Sequence, residues 1–152
     1  MHKNWKFMHA SLVVKDMEKA IKHFETLEVG PFPPFIGGPG MQFSGKSVKG
    51  KQVEYDMDLR LAKSDLGGLG LELIQPLKGE TVYSEFLAKH GEGLHHLAYG
   101  VEDFDAETAD MKKRGFEIVQ TGAIGSSRWA YFNTDTVGGM LIELCEMPKK
   151  KE

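Results

Sequence analysis

Two histidines and two glutamates are the residues of this chain best suited to hold a divalent metal ion: His9, Glu72, His96 and Glu143. Imidazole nitrogens and carboxylate oxygens suit a first-row divalent cation, and four such ligands leave about two of six octahedral positions open. Two open positions can hold two oxygens of one substrate, whose carbonyl group the cation polarises. The useful product of that polarisation is an enolate, and in a proton-transfer mechanism a carboxylate would remove the hydrogen α to the carbonyl.

These four residues occupy equivalent places in an internal repeat. The stretch at 93–101, Gly-Leu-His-His-Leu-Ala-Tyr-Gly-Val, matches the stretch at 8–16, and aligning His9 with His96 also aligns Asp16 with Asp103. Each aspartate precedes apolar residues at helical spacing, as expected for a helix cap. One of the two glutamates then closes each half, within an apolar strand. The chain therefore contains two related modules.

Strand alternation predicts where these side chains point. Successive residues of a strand face opposite sides, so His96 lies opposite the bulky row of Leu97, Tyr99 and Val101. That row suits packing under a helix, and we assign His95 to it. By the same count Glu72 and Glu143 face away from their leucine and isoleucine neighbours, whereas the face of His9 is less clearly defined. The alternation places the glutamates and His96 on one open face.

The pattern resembles the vicinal oxygen chelate superfamily of glyoxalases, dioxygenases and epimerases. In that superfamily each of two βαβββ modules gives a histidine from its first strand and a carboxylate from its last. The resemblance covers nearly the whole chain and implies an α+β fold, with two tandem βαβββ modules forming a curved mixed sheet around a metal cavity. We expect one domain over 1–152, with module one at about 5–76, a connector helix at about 81–90 and module two at about 93–147.

A closer similarity, to methylmalonyl-CoA epimerases, lies in Glu-Leu-Ile-Gln-Pro-Leu from Glu72 onward and in the stretch 86–96. It implies a metal-dependent isomerase that transfers a proton through a metal-stabilised enolate of a malonyl-type CoA thioester. The metal ligands it implies are His9, Glu72, His96 and Glu143, holding Co, Mn, Ni, Zn or Mg; these epimerases have glutamine or glutamate at the Glu72 position. Glu143 and Glu54 are the implied catalytic carboxylates, with Asp56 as the alternative to Glu54.

One segment departs from the epimerase pattern and leaves the substrate open. Residues 126–135 are more similar to lyase-type members of the superfamily, and Arg128 or Trp129 there are candidates to recognise a different head group. The alternatives are a glyoxalase I-like lactoylglutathione lyase, another lyase or isomerase of the superfamily, or a non-catalytic drug-binding protein. A drug-binding protein would not need four metal ligands.

Two other stretches carry expectations about the cavity. Alternation predicts a strand at 52–61, whose acidic residues Glu54, Asp56 and Asp58 share one wet face toward the metal cavity. The Pro- and Gly-rich stretch at 30–40 predicts an irregular loop. Its Phe32, together with the apolar residues at 35 and 36, either covers a substrate pocket or plugs the edge of the module.

Composition limits the partners that we expect. A net charge of −3 argues against nucleic acid and against a membrane surface. The single cysteine, Cys145, excludes an internal disulfide and fits the cytoplasm, and no apolar run approaches the ~18 residues of a membrane span. We therefore expect a cytoplasmic protein with a small-molecule substrate and, by default for a small scaffold, a homodimer.

Overall fold

The structure of the protein is a computed structural model that describes residues 5–33, 43–63 and 70–147. The elements within these ranges are nine strands and three helices. The strands are β1 (Lys6–Val13), β2 (Ser44–Val48), β3 (Lys51–Gln52), β4 (Asp56–Lys63), β5 (Gly70–Lys78), β6 (Gly93–Val101), β7 (Ile118–Ile124), β8 (Ser127–Phe132) and β9 (Leu141–Glu146). The helices are α1 (Met17–Thr26), α2 (Val82–His90) and α3 (Phe104–Lys113).

All nine strands form one mixed sheet in the order β3-β2-β7-β8-β9-β6-β1-β5-β4. At its centre β1 and β6 run antiparallel, and outside them β5 lies parallel to β1 and β9 parallel to β6. In each half of the chain, therefore, the first strand pairs with the last strand of the same half. This curled sheet, with three helices, confirms the predicted α+β architecture.

The two edges of the sheet are joined by a short connection. β3 lies at one end of the strand order and β4 at the other, yet only residues 53–55 separate them in the chain. Four Cα–Cα steps span at most about 14 Å, so the sheet must curl until its edges approach each other. The prediction of one continuous strand over 52–61 is wrong at its start. Strand pairing is interrupted at residues 53–55 and resumes at Asp56.

The helix starts follow the sequence. Asp16 and Asp103 accept hydrogen bonds from the backbone N–H groups of the first turns of α1 and α3, at 3.1 and 3.0 Å. Thr81 caps α2 together with Ser84 in a reciprocal pair. The α2 helix lies within the connector expected at about 81–90 and ends at His90. None of these three described helices combines the length and apolarity needed to cross a bilayer.

Helices α1 and α3 cover the convex side of the sheet through separate apolar clusters. Phe32 belongs to the α1 cluster, where it is buried and lies 5.8 Å from the ring of Phe24. Of the two predicted roles for this loop, Phe32 has the edge-plugging one. The expectations for residues 35 and 36 fall outside the described residues.

A candidate metal centre beneath an apolar cavity

Four adjacent strands carry the predicted ligands. In the sheet order β9-β6-β1-β5, these strands hold Glu143, His96, His9 and Glu72 respectively. Ser11 on β1 pairs with both His96 and Glu72, and Ala98 on β6 pairs with both His9 and Glu143. The two small residues are equivalent in the repeat, and both are fully buried. Because neither Ser11 nor Ala98 fills the space above the sheet, the four larger side chains can converge over it.

The donor atoms meet closely. The Nε2 atom of His9 lies 3.4 Å from Oε2 of Glu72 and 3.4 Å from Oε2 of Glu143. The Nε2 atom of His96 lies 3.4 and 3.1 Å from the same two oxygens. Each imidazole nitrogen thus faces one oxygen of each carboxylate. The ligand atoms of His9, His96 and Glu143 all lie within 4.8 Å of one another.

The residues fit a divalent cation. Neighbouring ligands at about 2.1 Å from an octahedral cation lie about 3 Å apart, close to the spacings seen here. All four side chains are buried, and Nε2 of His9, Nε2 of His96 and Oε2 of Glu143 make no well-directed hydrogen bond with any described residue. Buried polar atoms are expensive without a partner. A shared cation is the partner that would satisfy all three at once.

The charges favour a positive group in the cluster. Burial opposes protonation of His9, but the carboxylates of Glu72 and Glu143 outweigh it and raise the pKa of His9 to about 10. The pKa of His96 is also raised, against burial and chiefly by Glu143. Although burial alone would raise the pKa values of both glutamates, the histidines hold them below the usual range. A cation that displaces these protons would keep the same charge balance.

His95 supports the cluster, which the sequence did not predict. Ser11 pairs with His96 and Leu12 with Leu94, so His95 is the extra residue of a β-bulge. Its Nδ1 lies 2.9 Å from Nδ1 of His96. Burial and the neighbouring His96 lower the pKa of His95 to about 3, so it is neutral at pH 7 and hydrogen-bonds the backbone of Val82. Neutral His95 can accept a hydrogen bond from the Nδ1–H of His96, which leaves the Nε2 lone pair of His96 directed into the cluster.

His95 also packs against aromatic rings, one of which belongs to helix α2. Its ring lies 5.1 Å from Phe86 on α2 and 5.2 Å from Tyr83. Tyr83 and Tyr131 share a hydrogen bond of 2.7 Å between their hydroxyl oxygens, and the Tyr131 ring lies 4.7 Å from that of His96. These contacts hold the imidazole of His96 in position.

A cavity of about 430 Å³ lies above the cluster, and His9, Glu72 and Glu143 form part of its lining. The surrounding walls are mostly apolar: Met8, Phe43, Met57, Leu59, Leu61 and Trp129. Cys145 lies in the wall, and burial raises the pKa of its thiol. The arrangement is a polar floor within an apolar enclosure.

The predicted acidic wall is not in this cavity. The face of β4 that lines it carries Met57, Leu59 and Leu61, so the acidic residues take the opposite side. The Glu54 side chain is 93% exposed, and its carboxylate lies 3.3 Å from Nζ of Lys46. Asp56 is exposed and accepts from the next backbone N–H. The structure therefore does not bring Glu54 or Asp56 to the cluster.

Arg128 and Trp129 both reach the cavity, in different ways. The guanidinium of Arg128 donates to the carboxylates of Glu146 and Asp105, with shortest distances of 2.8 Å to each. The indole of Trp129 lies across Gly122, its cross-strand partner on β7. A Cβ at Gly122 would be 2.0 Å from that indole, so only glycine allows this ring position without a shift.

Comparisons with known proteins agree with this fold. The profile of the Glyoxalase/Bleomycin resistance protein/Dioxygenase superfamily matches residues 8–132. Human mitochondrial methylmalonyl-CoA epimerase is 26% identical over 146 residues, covering 90% of this chain and 70% of that protein.

Two solved structures carry the same name. The methylmalonyl-CoA epimerase of Mycobacterium tuberculosis aligns with a TM-score of 0.63 at 25% identity, covering 94% of this chain and 89% of that one. A variant of the Streptomyces coelicolor epimerase, in complex with 2-nitronate-propionyl-CoA, aligns with a TM-score of 0.62 at 22% identity, covering 95% and 98%.

Proposed function

The chain belongs to the Glyoxalase/Bleomycin resistance protein/Dioxygenase superfamily, and from that premise we propose that it is a metal-dependent isomerase of the methylmalonyl-CoA epimerase type. The observation that carries the proposal is the convergence of two imidazole nitrogens and two carboxylate oxygens, 3.1 to 3.4 Å apart, at the floor of a cavity. The resemblance to epimerases supports proton transfer as the reaction and a CoA thioester as the substrate.

We assign His9, Glu72, His96 and Glu143 as the ligands of a divalent cation, with Co, Mn, Ni, Zn and Mg as candidates. A bound cation would supply Lewis-acid polarisation of a substrate carbonyl, which makes the neighbouring hydrogen more acidic. The protein's part is to place its histidines and glutamates at the floor of the cavity and to exclude water with its apolar walls.

A carboxylate must then accept the α-hydrogen as a proton. Glu143 lines the cavity, and the oxygen that faces the two histidines is its Oε2, so its second oxygen is the candidate base. Inversion needs a second group on the other face of the substrate. Glu72 is related to Glu143 by the repeat and also lines the cavity, and the structure favours it over Glu54 for this role.

Two alternatives keep specific support. The exposed position of Glu54 removes the expected second base of an epimerase, which favours a lyase or isomerase acting on another chelated carbonyl substrate, such as the glyoxalase I-like lactoylglutathione lyase. The apolar walls suit a drug-binding protein. A drug-binding protein has no use for four converging metal ligands, so we rank it last. A homodimer and a cytoplasmic location remain predictions.

Proton NMR of methylmalonyl-CoA in deuterated water tests the proposal. We expect the protein loaded with cobalt or manganese to exchange the α-hydrogen and to invert the centre, and a chelator to stop both. The variant His96→Ala is the matched control, because it removes one proposed ligand from the floor of the cavity. Exchange that persists after metal removal would contradict the metal-dependent mechanism, and no exchange in loaded protein would contradict the epimerase activity.

A further inference from the structure

The floor of the cavity is polar, whereas its walls are mostly apolar. The walls therefore indicate which substituent the substrate has next to its chelating oxygens. A methyl group is about as large as a water molecule, which takes roughly 30 Å³ in the liquid. The cavity has a volume of about 430 Å³. A methyl substituent would therefore occupy less than a tenth of the volume that the chelating group and its substituents share.

The aromatic wall is built for contact with an apolar group. The rings of Phe43 and Trp129 pack edge to face, with centroids 5.6 Å apart. The indole lies over Gly122 of β7, where the absence of a side chain leaves room for it. Met57, Leu59 and Leu61 form the facing wall from alternate positions of β4. Apolar side chains therefore flank the floor on both the β4 side and the β8 side.

The charged residues that line the cavity disfavour an anionic group on the substrate beyond its chelating oxygens. Apart from histidine, Arg128 is the one cationic side chain among the described residues that line the cavity. Its guanidinium is already paired with Asp105 and Glu146, and it lies 4.7 Å from the ring of Phe104. The remaining charged lining groups on the floor are carboxylates. An extra anion on the substrate would therefore find no free counter-charge there.

We propose that the cavity takes a substrate whose chelating oxygens are flanked by a bulky, uncharged apolar substituent, either an alkyl chain of several carbons or an aromatic ring. The inference rests on the proposed function, since it names the substrate class of the same site. The substituent packs between the Phe43–Trp129 wall and the β4 wall, while the two oxygens face the floor of histidines and glutamates.

Substituted malonates test this without requiring turnover, because they present two chelating oxygens and vary only in the substituent. Titration calorimetry of cobalt-loaded protein would compare methyl-, butyl-, benzyl- and carboxymethylmalonate. Burying one methylene is worth about fourfold in affinity, so butyl should bind up to about sixtyfold more tightly than methyl. Carboxymethylmalonate, with a charged substituent, should bind more weakly than butylmalonate.

Two leucine variants test whether the preference for butylmalonate comes from the β4 wall of the cavity. Leu59→Asn replaces a cavity-lining side chain by a polar one of similar shape, and Leu77→Asn makes the same change at a residue of β5 that is 52% exposed and outside this cavity. We expect Leu59→Asn to lower the affinity for butylmalonate about tenfold and to change the affinity for methylmalonate little. Leu77→Asn should change neither, and metal content checks that both variants retain the centre.

Several results would overturn the inference: equal affinity for methyl and butyl, tight binding of carboxymethylmalonate, no malonate binding at all, or equal behaviour of the two leucine variants. Failure of the proposed function is separate. If butyl is preferred but methylmalonyl-CoA does not exchange its α-hydrogen, the substrate class stands and the epimerase activity is refuted.

Discussion

The two histidines of the cluster come from equivalent strands, yet the protein supports them unequally. His96 is fully buried, its Nδ1 lies 2.9 Å from His95, and the Tyr131 ring lies 4.7 Å away. His9 is 8% exposed, and no residue in the described ranges hydrogen-bonds its other ring nitrogen. Its strand neighbour on β5 is Gly70, where a Cβ would lie 3.0 Å from the Cβ of His9.

This difference shows that the fold can bring a proposed ligand to the cluster without also fixing the orientation of its ring. The repeat places one histidine and one glutamate from each half at the same floor, but only the C-terminal half adds a hydrogen-bonded imidazole behind the ligand. A ligand with a fixed ring orientation loses less entropy when a metal binds. We therefore expect the His96 side to dominate affinity for the metal.

The largest effect should come from removing that ligand. His96→Ala should lower metal affinity more than a hundredfold, because loss of an outer partner alone costs about 10–100-fold. Metal analysis after gel filtration would measure it, with His9→Ala as the comparison. Stoichiometric metal in the His96 variant would refute the ligand assignment, and a greater loss in His9→Ala would reverse the ranking of the two sides.

Metal removal should loosen the contact between the halves, since each contributes two of the proposed ligands. A cation at a thousandfold excess over its dissociation constant stabilises the native state by about 4 kcal/mol. For a chain of this size that corresponds to a fall in melting temperature of about 10 °C on chelation. Calorimetry with and without chelator gives the value. An unchanged melting temperature would argue that no metal joins the halves.

A near-isosteric pair at His95 sharpens the comparison. In His95→Asn the side-chain oxygen can stand near the position of Nδ1 and accept from His96, whereas in His95→Leu it cannot. We expect the leucine variant to lose about 10–100-fold in metal affinity and the asparagine variant to recover much of it. The visible spectrum of bound cobalt reports ligand geometry independently of stability. Equal affinity and equal spectra in the two variants would show that His95 only packs.

Glu54→Gln tests the one predicted catalytic carboxylate that the structure leaves at the surface. Because its side chain is 93% exposed beside Lys46, we expect metal content to be retained and the exchange rate to change by less than about threefold. Glu72→Gln serves as the cavity-side comparison. An exchange rate that falls a hundredfold in Glu54→Gln would restore the prediction made from the sequence.

The smallest effect should come from making the two halves more alike. Ser11 and Ala98 are equivalent in the repeat, and the Ser11 hydroxyl is buried without a partner among the described residues. Removing an unpaired buried hydroxyl is close to neutral or stabilising. Ser11→Ala should therefore keep metal affinity within about threefold and leave the melting temperature unchanged or higher. A large loss of metal would give the hydroxyl a role at the centre.

Much of the site could be predicted because the signals are local. A carboxylate can accept a hydrogen bond from a backbone N–H of the first helical turn that follows it. Asp16 and Asp103 therefore predicted where α1 and α3 begin. Alternation along a single strand put Glu72 and Glu143 on the face opposite their apolar neighbours, and the repeat linked these glutamates to two histidines. Nothing distant in the chain is needed for those inferences.

Other features were decided by contacts between distant segments. The bulge that brings His95 beside His96 arises where β6 pairs with β1, and β2 pairs with β7 from the other half. The break at 53–55, where the chain passes between the two sheet edges, put the acidic residues outside and the apolar ones in the cavity. A strand's sequence fixes which residues share a face. Which of its faces is enclosed depends on the register and curl of the whole sheet, so the sequence by itself identified the proposed ligands and only the tertiary structure decided the walls around them.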